Sequence, residues 1–148
     1  MATKKAAKKK TVVTDASSLI LLAKSGLFEL VAKHLDLIVT DKVYEEAVIK
    51  GKVKGHADSY ELEIFYQAGH FQLSSPKQVS LQRIETLFRL HGGERDTVAL
   101  AHELGCGVLV DDRKGINACK ALGLQFATAL GVVLSLLRQG IINQAQAF

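Results

Sequence analysis

The segment TVVTDASSLILLAKSG, residues 11–26, contains a strand pattern followed directly by a helix pattern. The β-branched run from Thr11 to Thr14 predicts a buried strand that ends at Asp15. In ASSLILLAKSG the apolar residues recur at helical spacing, and Gly26 suits the C-cap position of a helix. The segment therefore predicts a β–α unit with an aspartate at the junction of the strand and the helix.

The same alternation of short apolar strands and helices continues along the chain. Further strands are predicted at residues 36–40, 71–73, 108–110 and 125–127. Helices are predicted at residues 27–34, 41–48 with Asp41 as cap, 79–90, 94–104, 116–122 and 129–138, with another inside 51–70. His91-Gly92-Gly93 is expected to break the helical pattern. The predicted fold class is α/β, a three-layer α/β/α sandwich with a short central parallel sheet.

Composition and charge divide the chain into a basic start and a nearly neutral body. The 148 residues are 48% apolar with one proline, which suits a single domain. Five of the positive charges are lysines in MATKKAAKKK, and subtracting them from the formal charge of +4 leaves −1. We therefore expect a lysine-rich disordered tail at residues 1–10 and one domain at 11–148. Without a signal-peptide pattern or a spanning apolar stretch, the expected location is cytoplasmic.

Several common kinds of site are not supported by the sequence. Cys106 and Cys119 are not in a C-x-x-C arrangement and have no histidine at zinc-like spacing, so reduced thiols are expected. None of the five histidines pairs with a serine or cysteine in a recognisable nucleophile motif. The nine aromatic residues show no stacking platform for bases, so the sequence leaves the choice of nucleic-acid substrate open.

Acidic residues are grouped in four places that a parallel sheet could bring together. Ligands bind outside the carboxyl ends of such strands, and Asp15 and Asp111 each follow a predicted strand. Converging carboxylates raise one another's pKa unless a cation lies between them, and hard oxygen ligands favour Mg²⁺ or Mn²⁺. The pattern therefore predicts a metal centre. The four groups are Asp15, Glu45 with Glu46, Glu94 with Asp96, and Asp111 with Asp112.

Each of these acids also has an ordinary structural interpretation. Asp15 and either Asp111 or Asp112 could be helix N-caps, which accept hydrogen bonds from the first turn. Glu45 and Glu94 could be solvated first-turn residues, where the helix dipole favours negative charge. The whole set, rather than any single acid, is what favours a metal site.

Four segments resemble, in the same order, the motifs of PIN-domain ribonucleases, and most closely those of VapC-like toxins. They are VVTDASSLILLAKSG, VTDKVYEEAV, GGERDTVALAHELG and VLVDDRKGINACKALGL, and together they span roughly residues 11–142. The resemblance implies hydrolysis of phosphodiester bonds in single-stranded or looped RNA with Mg²⁺ or Mn²⁺ and without a protein nucleophile. It also implies the partners of a toxin, which are an antitoxin protein and a second copy of the chain in a homodimer.

The resemblance assigns roles to individual residues. Glu46 is preferred over Glu45 because it lies three residues after Val43, as in the family's V-x-x-E pattern. The implied catalytic and metal-binding acids are Asp15, Glu46, Asp96 and Asp111, with Glu94 and Asp112 as further metal ligands. The implied substrate-binding residues are Ser17, Arg113 and Lys114.

One position departs from the family's pattern. Many relatives have an arginine near the position of Ile116, and here Arg113 and Lys114 are the nearby cations. This leaves a second interpretation open, a catalytically inactive PIN-like module that binds RNA or a protein partner. A phosphotransferase of the haloacid-dehalogenase type is disfavoured because Ser17 stands where that family needs an aspartate.

Overall fold

A computed structural model describes residues 9–140 of the chain. Within this part, the strands are β1 Lys10–Thr14, β2 Leu35–Thr40, β3 Gln72–Ser74, β4 Gly107–Leu109 and β5 Phe126–Ala127. All neighbouring strands pair in parallel, in the order β3-β2-β1-β4-β5. The central strand β1 is thus flanked by β2, the next strand along the chain, and by β4, which is far away in sequence.

Helices connect all of these strands. They are α1 Ala16–Ser25, α2 Phe28–His34, α3 Asp41–Tyr44, a π-helical segment Glu45–Ile49, α4 Lys50–Val53, α5 Ala57–Gln67, α6 Gln78–Phe88, α7 Gly92–Leu104, α8 Arg113–Leu122 and α9 Ala129–Arg138. The cap of α3 is Thr40 and not Asp41, because the Thr40 hydroxyl accepts a bond of 3.1 Å from the Val43 N–H. A predicted feature that is confirmed is Gly26, which ends α1 in the left-handed conformation.

The core consists of two apolar clusters on opposite faces of the sheet. Successive side chains of a strand alternate between faces, so Val12 and Val13 of β1 belong to different clusters. Val12 packs with residues of α1, α2, α5 and α9, whereas Val13 packs with residues of α7 and α8. This arrangement confirms the predicted three-layer α/β/α sandwich. Across residues 9–140, every helix is too short or too polar to cross a membrane.

The start of the folded region lies earlier than we predicted. Lys10 begins β1 and is paired with Leu35, and the Lys9 ammonium donates to the Ala32 carbonyl at 3.0 Å. Lys10 therefore belongs to the folded region and not to a tail, because its backbone is paired with β2. The other residues of the proposed tail, 1–8, lie outside the described part of the chain, as do residues 141–148.

The two cysteines should differ in reactivity. Cys119 is fully buried on α8, and burial, with a smaller contribution from the charge of Asp15, raises its pKa to about 11. Only about one such thiol in a thousand would be ionised at pH 8, and the thiolate is the reactive form. Cys106 is partly exposed, although burial raises its pKa too. In iodoacetamide labelling followed by mass spectrometry, we expect Cys106 to react in the native protein and Cys119 only after unfolding. Equal native rates would contradict this.

Candidate active site

The order in which the chain adds strands to the sheet reverses at β1. From β1 the chain adds β2 and β3 on one side, and then returns to add β4 and β5 on the other. Asp15 directly follows β1, and its N–H donates to the Leu109 carbonyl at the end of β4 at 3.0 Å. Asp111 lies two residues beyond Leu109. Both aspartates thus lie at a topological switch point, where open α/β sheets bind their ligands.

One buried serine connects the two aspartates. Asp15 is the N-cap of α1, as its ordinary interpretation predicts, and its Oδ1 accepts a bond of 2.8 Å from the Ser18 N–H. The Ser18 hydroxyl donates to Asp111 Oδ2. Asp15 is only 2% exposed, and this burial raises its pKa. The charge of Asp111 raises that pKa further, whereas the bonds from Ser18 oppose the shift. The two carboxylates are therefore close enough to act on each other.

A second pair of acids, Glu94 and Asp112, lies next to the first. Burial raises the pKa of Glu94, and so do the charge of Asp112 and a hydrogen bond that protonated Glu94 donates to it. The charge of Asp15 contributes in the same direction, while Lys114 opposes it. Asp112 is also the N-cap of α8, because its Oδ2 accepts a bond of 3.0 Å from the Lys114 N–H. The first turn of α7 and the start of α8 thus meet beside Asp15.

Glu46 reaches this region from the π-helical segment and lies against Gly92 and Gly93. The Gly93 N–H donates to Glu46 Oε1 at 3.1 Å. This contact explains why α7 begins at Gly92, two residues before its predicted start and inside the expected break. The carboxylate satisfies an N-terminal N–H of α7 and complements the helix dipole, so two glycines can form its first turn.

Asp96 has a cation as its partner in the structure. It is buried in α7, and its Oδ1 accepts a bond of 3.1 Å from Arg95 Nε. Arg95 also donates to Glu85 Oε2 on α6 at 3.0 Å, so the guanidinium joins the two helices. Glu45, the acid that we did not select, forms exposed ion pairs with Lys42 and Lys50.

The residues predicted to bind the substrate lie in the first turns of the two helices that Asp15 and Asp112 cap. Ser17 is exposed in the first turn of α1, and Arg113 and Lys114 are exposed in the first turn of α8. Ile116 packs against the apolar cluster beneath α7 and α8, which gives this position a packing role. The two basic residues are therefore the cations that the start of α8 presents to solvent.

Sequence reasoning missed three residues of the site, namely Ser18, Gly92 and Gly93. Ser18 could have been found from its spacing, since the residue three positions after an N-cap aspartate donates its backbone N–H to the carboxylate of the cap. The two glycines carried no such signal, because their role depends on Glu46, which is distant in sequence. From the sequence alone they indicate only a break in the helical pattern.

The donor atoms are of the kind that a hard divalent cation prefers. All are carboxylate oxygens, which suit Mg²⁺ or Mn²⁺. In the described part of the chain, no three acidic, histidine or cysteine side chains lie close enough to share one ion directly. Mg²⁺ is usually bound through one or two carboxylates and retains several waters. The pair formed by Asp15 and Asp111 therefore fits such an ion. Glu94 and Asp112 interact with each other beside Asp15, whereas the contacts of Glu46 and Asp96 are with Gly93 and Arg95.

Comparison with known proteins places the chain in a family. A structure of PAE2754 from Pyrobaculum aerophilum matches with a TM-score of 0.62 and 18% identity, over 90% of this chain and 91% of that one. A PilT N-terminus domain protein, SSO1118 from Sulfolobus solfataricus P2, matches with a TM-score of 0.54 and 17% identity, over 86% and 93%. Both support the fold. A search of curated proteins gave no match. The family model DUF3368, described as a PIN domain, matches residues 11–148, and the chain therefore belongs to this PIN-domain family, whose relatives are generally nucleases.

Proposed function

We propose that the protein is a metal-dependent endoribonuclease that hydrolyses phosphodiester bonds in single-stranded or looped RNA with Mg²⁺ or Mn²⁺. The observation that carries this proposal is the link from Asp15 through Ser18 to Asp111 at the switch point of the sheet. Asp15 is buried and Asp111 is partly buried, and holding two carboxylates this close is unfavourable unless a cation is bound between them. Membership in a family of nucleases adds independent support.

In this mechanism the acids would hold the ion and its waters. Asp15 and Asp111 would be direct ligands, and the remaining set would hold the ion or its waters: Glu46, Glu94, Asp96 and Asp112. When bound, a divalent cation supplies a water of lowered pKa and positive charge beside the scissile phosphate. Ser18 keeps the two aspartates oriented toward one another, and no side chain has to act as a nucleophile.

Attraction of the RNA would come from the bound metal, from local cations or from the lysine-rich tail. The chain after residue 10 has a formal charge of −1, so the domain as a whole does not attract a polyanion. Arg113 and Lys114 are exposed beside Asp112, where they could contact a backbone phosphate. The exposed hydroxyl of Ser17 is available as a donor on the α1 side. We assign these three residues to RNA binding.

We further propose that the protein is the toxin of a toxin–antitoxin pair, because its four motifs resemble those of VapC-like toxins. Such a role requires a surface for an antitoxin and for a second copy of the chain. Three apolar side chains on α4 and α5 are at least half exposed, which suits contact with a protein partner: Val53 at 86%, Tyr60 at 50% and Ile64 at 62%. Phe28 and Val31 of the apolar helix α2 are instead buried in the core, so they are not accessible to a partner.

The proposed activity can be tested with purified protein and a labelled single-stranded RNA. We expect cleavage in Mg²⁺ or Mn²⁺, arrest by EDTA, and recovery when excess Mn²⁺ is added back. A perfect duplex of the same sequence should be cut more slowly, because its bases and backbone are held in a regular helix. Cleavage that continues in EDTA would refute the proposal. Binding in a gel-shift assay without cleavage in any divalent cation would favour the inactive module.

A further inference from the structure

Gly93 lies where helix α7 touches the Glu46 carboxylate, and this contact leaves no room for a side chain. Gly93 is buried, and its N–H donates to Glu46 Oε1 at 3.1 Å. A Cβ at this position would lie 2.7 Å from Glu46 Oε2 and 3.0 Å from Val43 Cγ2. A separation of 2.7 Å between a carbon and an oxygen is well inside van der Waals contact. Any larger residue at position 93 must therefore displace the carboxylate or the helix.

The backbone at position 93 does not itself require glycine. Gly92 has a φ of +59°, which favours glycine for conformational reasons, whereas Gly93 is not among the residues with positive φ. At an ordinary helical position alanine has the higher helix propensity. The close approach of Glu46 is thus the physical reason for glycine at position 93. This separates the effect of the contact from the effect of backbone strain.

Glu94 directly follows Gly93 in the first turn of α7. Glu46 therefore contacts the helical turn that also carries Glu94, although the two acids come from separate elements. We propose that Gly93 is a positioning residue that sets the Glu46 carboxylate beside the other acids for metal binding. This inference rests on the proposed nuclease function. A purely structural alternative is that Glu46 only caps α7, in which case changes at position 93 would alter stability alone.

The test compares Gly93→Ala with the wild-type full chain. We expect the variant to bind Mn²⁺ at least about 10-fold more weakly in a calorimetric titration, as is common when a residue that orients a metal ligand is lost. On single-stranded RNA, kcat should fall by about 10-fold to 100-fold with a smaller change in KM. Thermal unfolding in EDTA separates these effects from a loss of the fold. The matched control is Gly131→Ala in the first turn of α9, where a Cβ would lie 3.1 Å from Thr128 Oγ1.

A double-mutant cycle identifies the residue through which Gly93 acts. In a Glu46→Gln background the carboxylate is already lost, so adding Gly93→Ala should reduce Mn²⁺ affinity little further. Adding Val43→Ala to Gly93→Ala relieves the second steric contact, so this double variant should fold well and still bind Mn²⁺ weakly. If Gly93→Ala folds and binds Mn²⁺ like the wild type, or if its effect is equally large in Glu46→Gln, the inference is overturned while the nuclease proposal stands. A wild-type protein that neither binds Mn²⁺ nor cleaves RNA overturns both.

Discussion

Asp15→Asn is expected to lower RNA cleavage on the order of 100-fold or more while the protein stays folded. The change removes an anionic oxygen from the pair that would hold the ion, and groups that stabilise transition-state charge have effects of this size. Asparagine is as good an N-cap as aspartate, so the bond from the Ser18 N–H can remain. The measurement is kcat on single-stranded RNA with saturating Mn²⁺.

The same substitution should leave the protein as stable in EDTA at pH 7, or make it more stable. Burial raises the pKa of Asp15, so the folded state disfavours its ionised form. The resulting penalty is present above the raised pKa. It disappears as the pH falls from there to the ordinary value of about 4, and the difference in melting temperature should vanish over the same range. Unchanged cleavage, or unfolding of the variant at neutral pH, would contradict this prediction.

A carboxylate near the amino ends of the strands provides the matched control. Asp36 is the second residue of β2, and its Oδ2 accepts a bond of 3.2 Å from the Thr11 hydroxyl. Asp36→Asn makes the same chemical change far from the carboxyl ends of the strands. Cleavage by this variant should equal that of the wild type within a factor of about two, which is within ordinary variation for surface substitutions.

Ser18→Ala is expected to have the second-largest effect, a loss of about 10-fold to 100-fold in kcat. The substitution keeps the Ser18 backbone N–H, which donates to the N-cap Asp15. It removes the side-chain hydroxyl, which donates to Asp111. Without that donor the two carboxylates are oriented less well and repel each other more. Mn²⁺ affinity should fall together with kcat, and this can be measured by titration.

The neighbouring serine is a control that differs by one position. Ser17 is exposed, whereas Ser18 is fully buried. Ser17→Ala should therefore leave kcat and Mn²⁺ affinity nearly unchanged and alter only KM for RNA, in keeping with a role at the substrate. If Ser17→Ala lowers kcat more than Ser18→Ala does, the link through Ser18 is not what organises the site.

Most strands and helices could be predicted because their signals are local. The β-branched run before Asp15, the helical spacing after it and the left-handed Gly26 all depend on residues close in sequence. Errors occurred where a distant group substitutes for a local signal. Helix α7 begins at Gly92 because Glu46 satisfies its first turn, and β1 begins at Lys10 because β2 pairs with it.

The candidate site was predictable to a smaller extent. Asp15 and Asp111 could be expected at one edge, since the carboxyl ends of parallel strands lie on the same side of a sheet. That β1 and β4 are neighbours is a non-local pairing, and periodicity contains no information about it. The partner of Asp96 was also hidden, because the Arg95 side chain could have pointed to solvent.

The sequence by itself determined the order of the elements, the α/β class, the acidic residues and the motifs of the family. These properties depend on residue type and on spacings of a few positions, which are the same in any fold of the chain. Only the tertiary structure decided that Ser18 bonds to Asp111, 93 positions further along the chain, and so connects it with Asp15. It also decided that Gly93 contacts Glu46, from which it is 47 positions away. Hydrogen bonds and steric limits act over a few ångströms in space, so they are set only when the sheet and helices pack together.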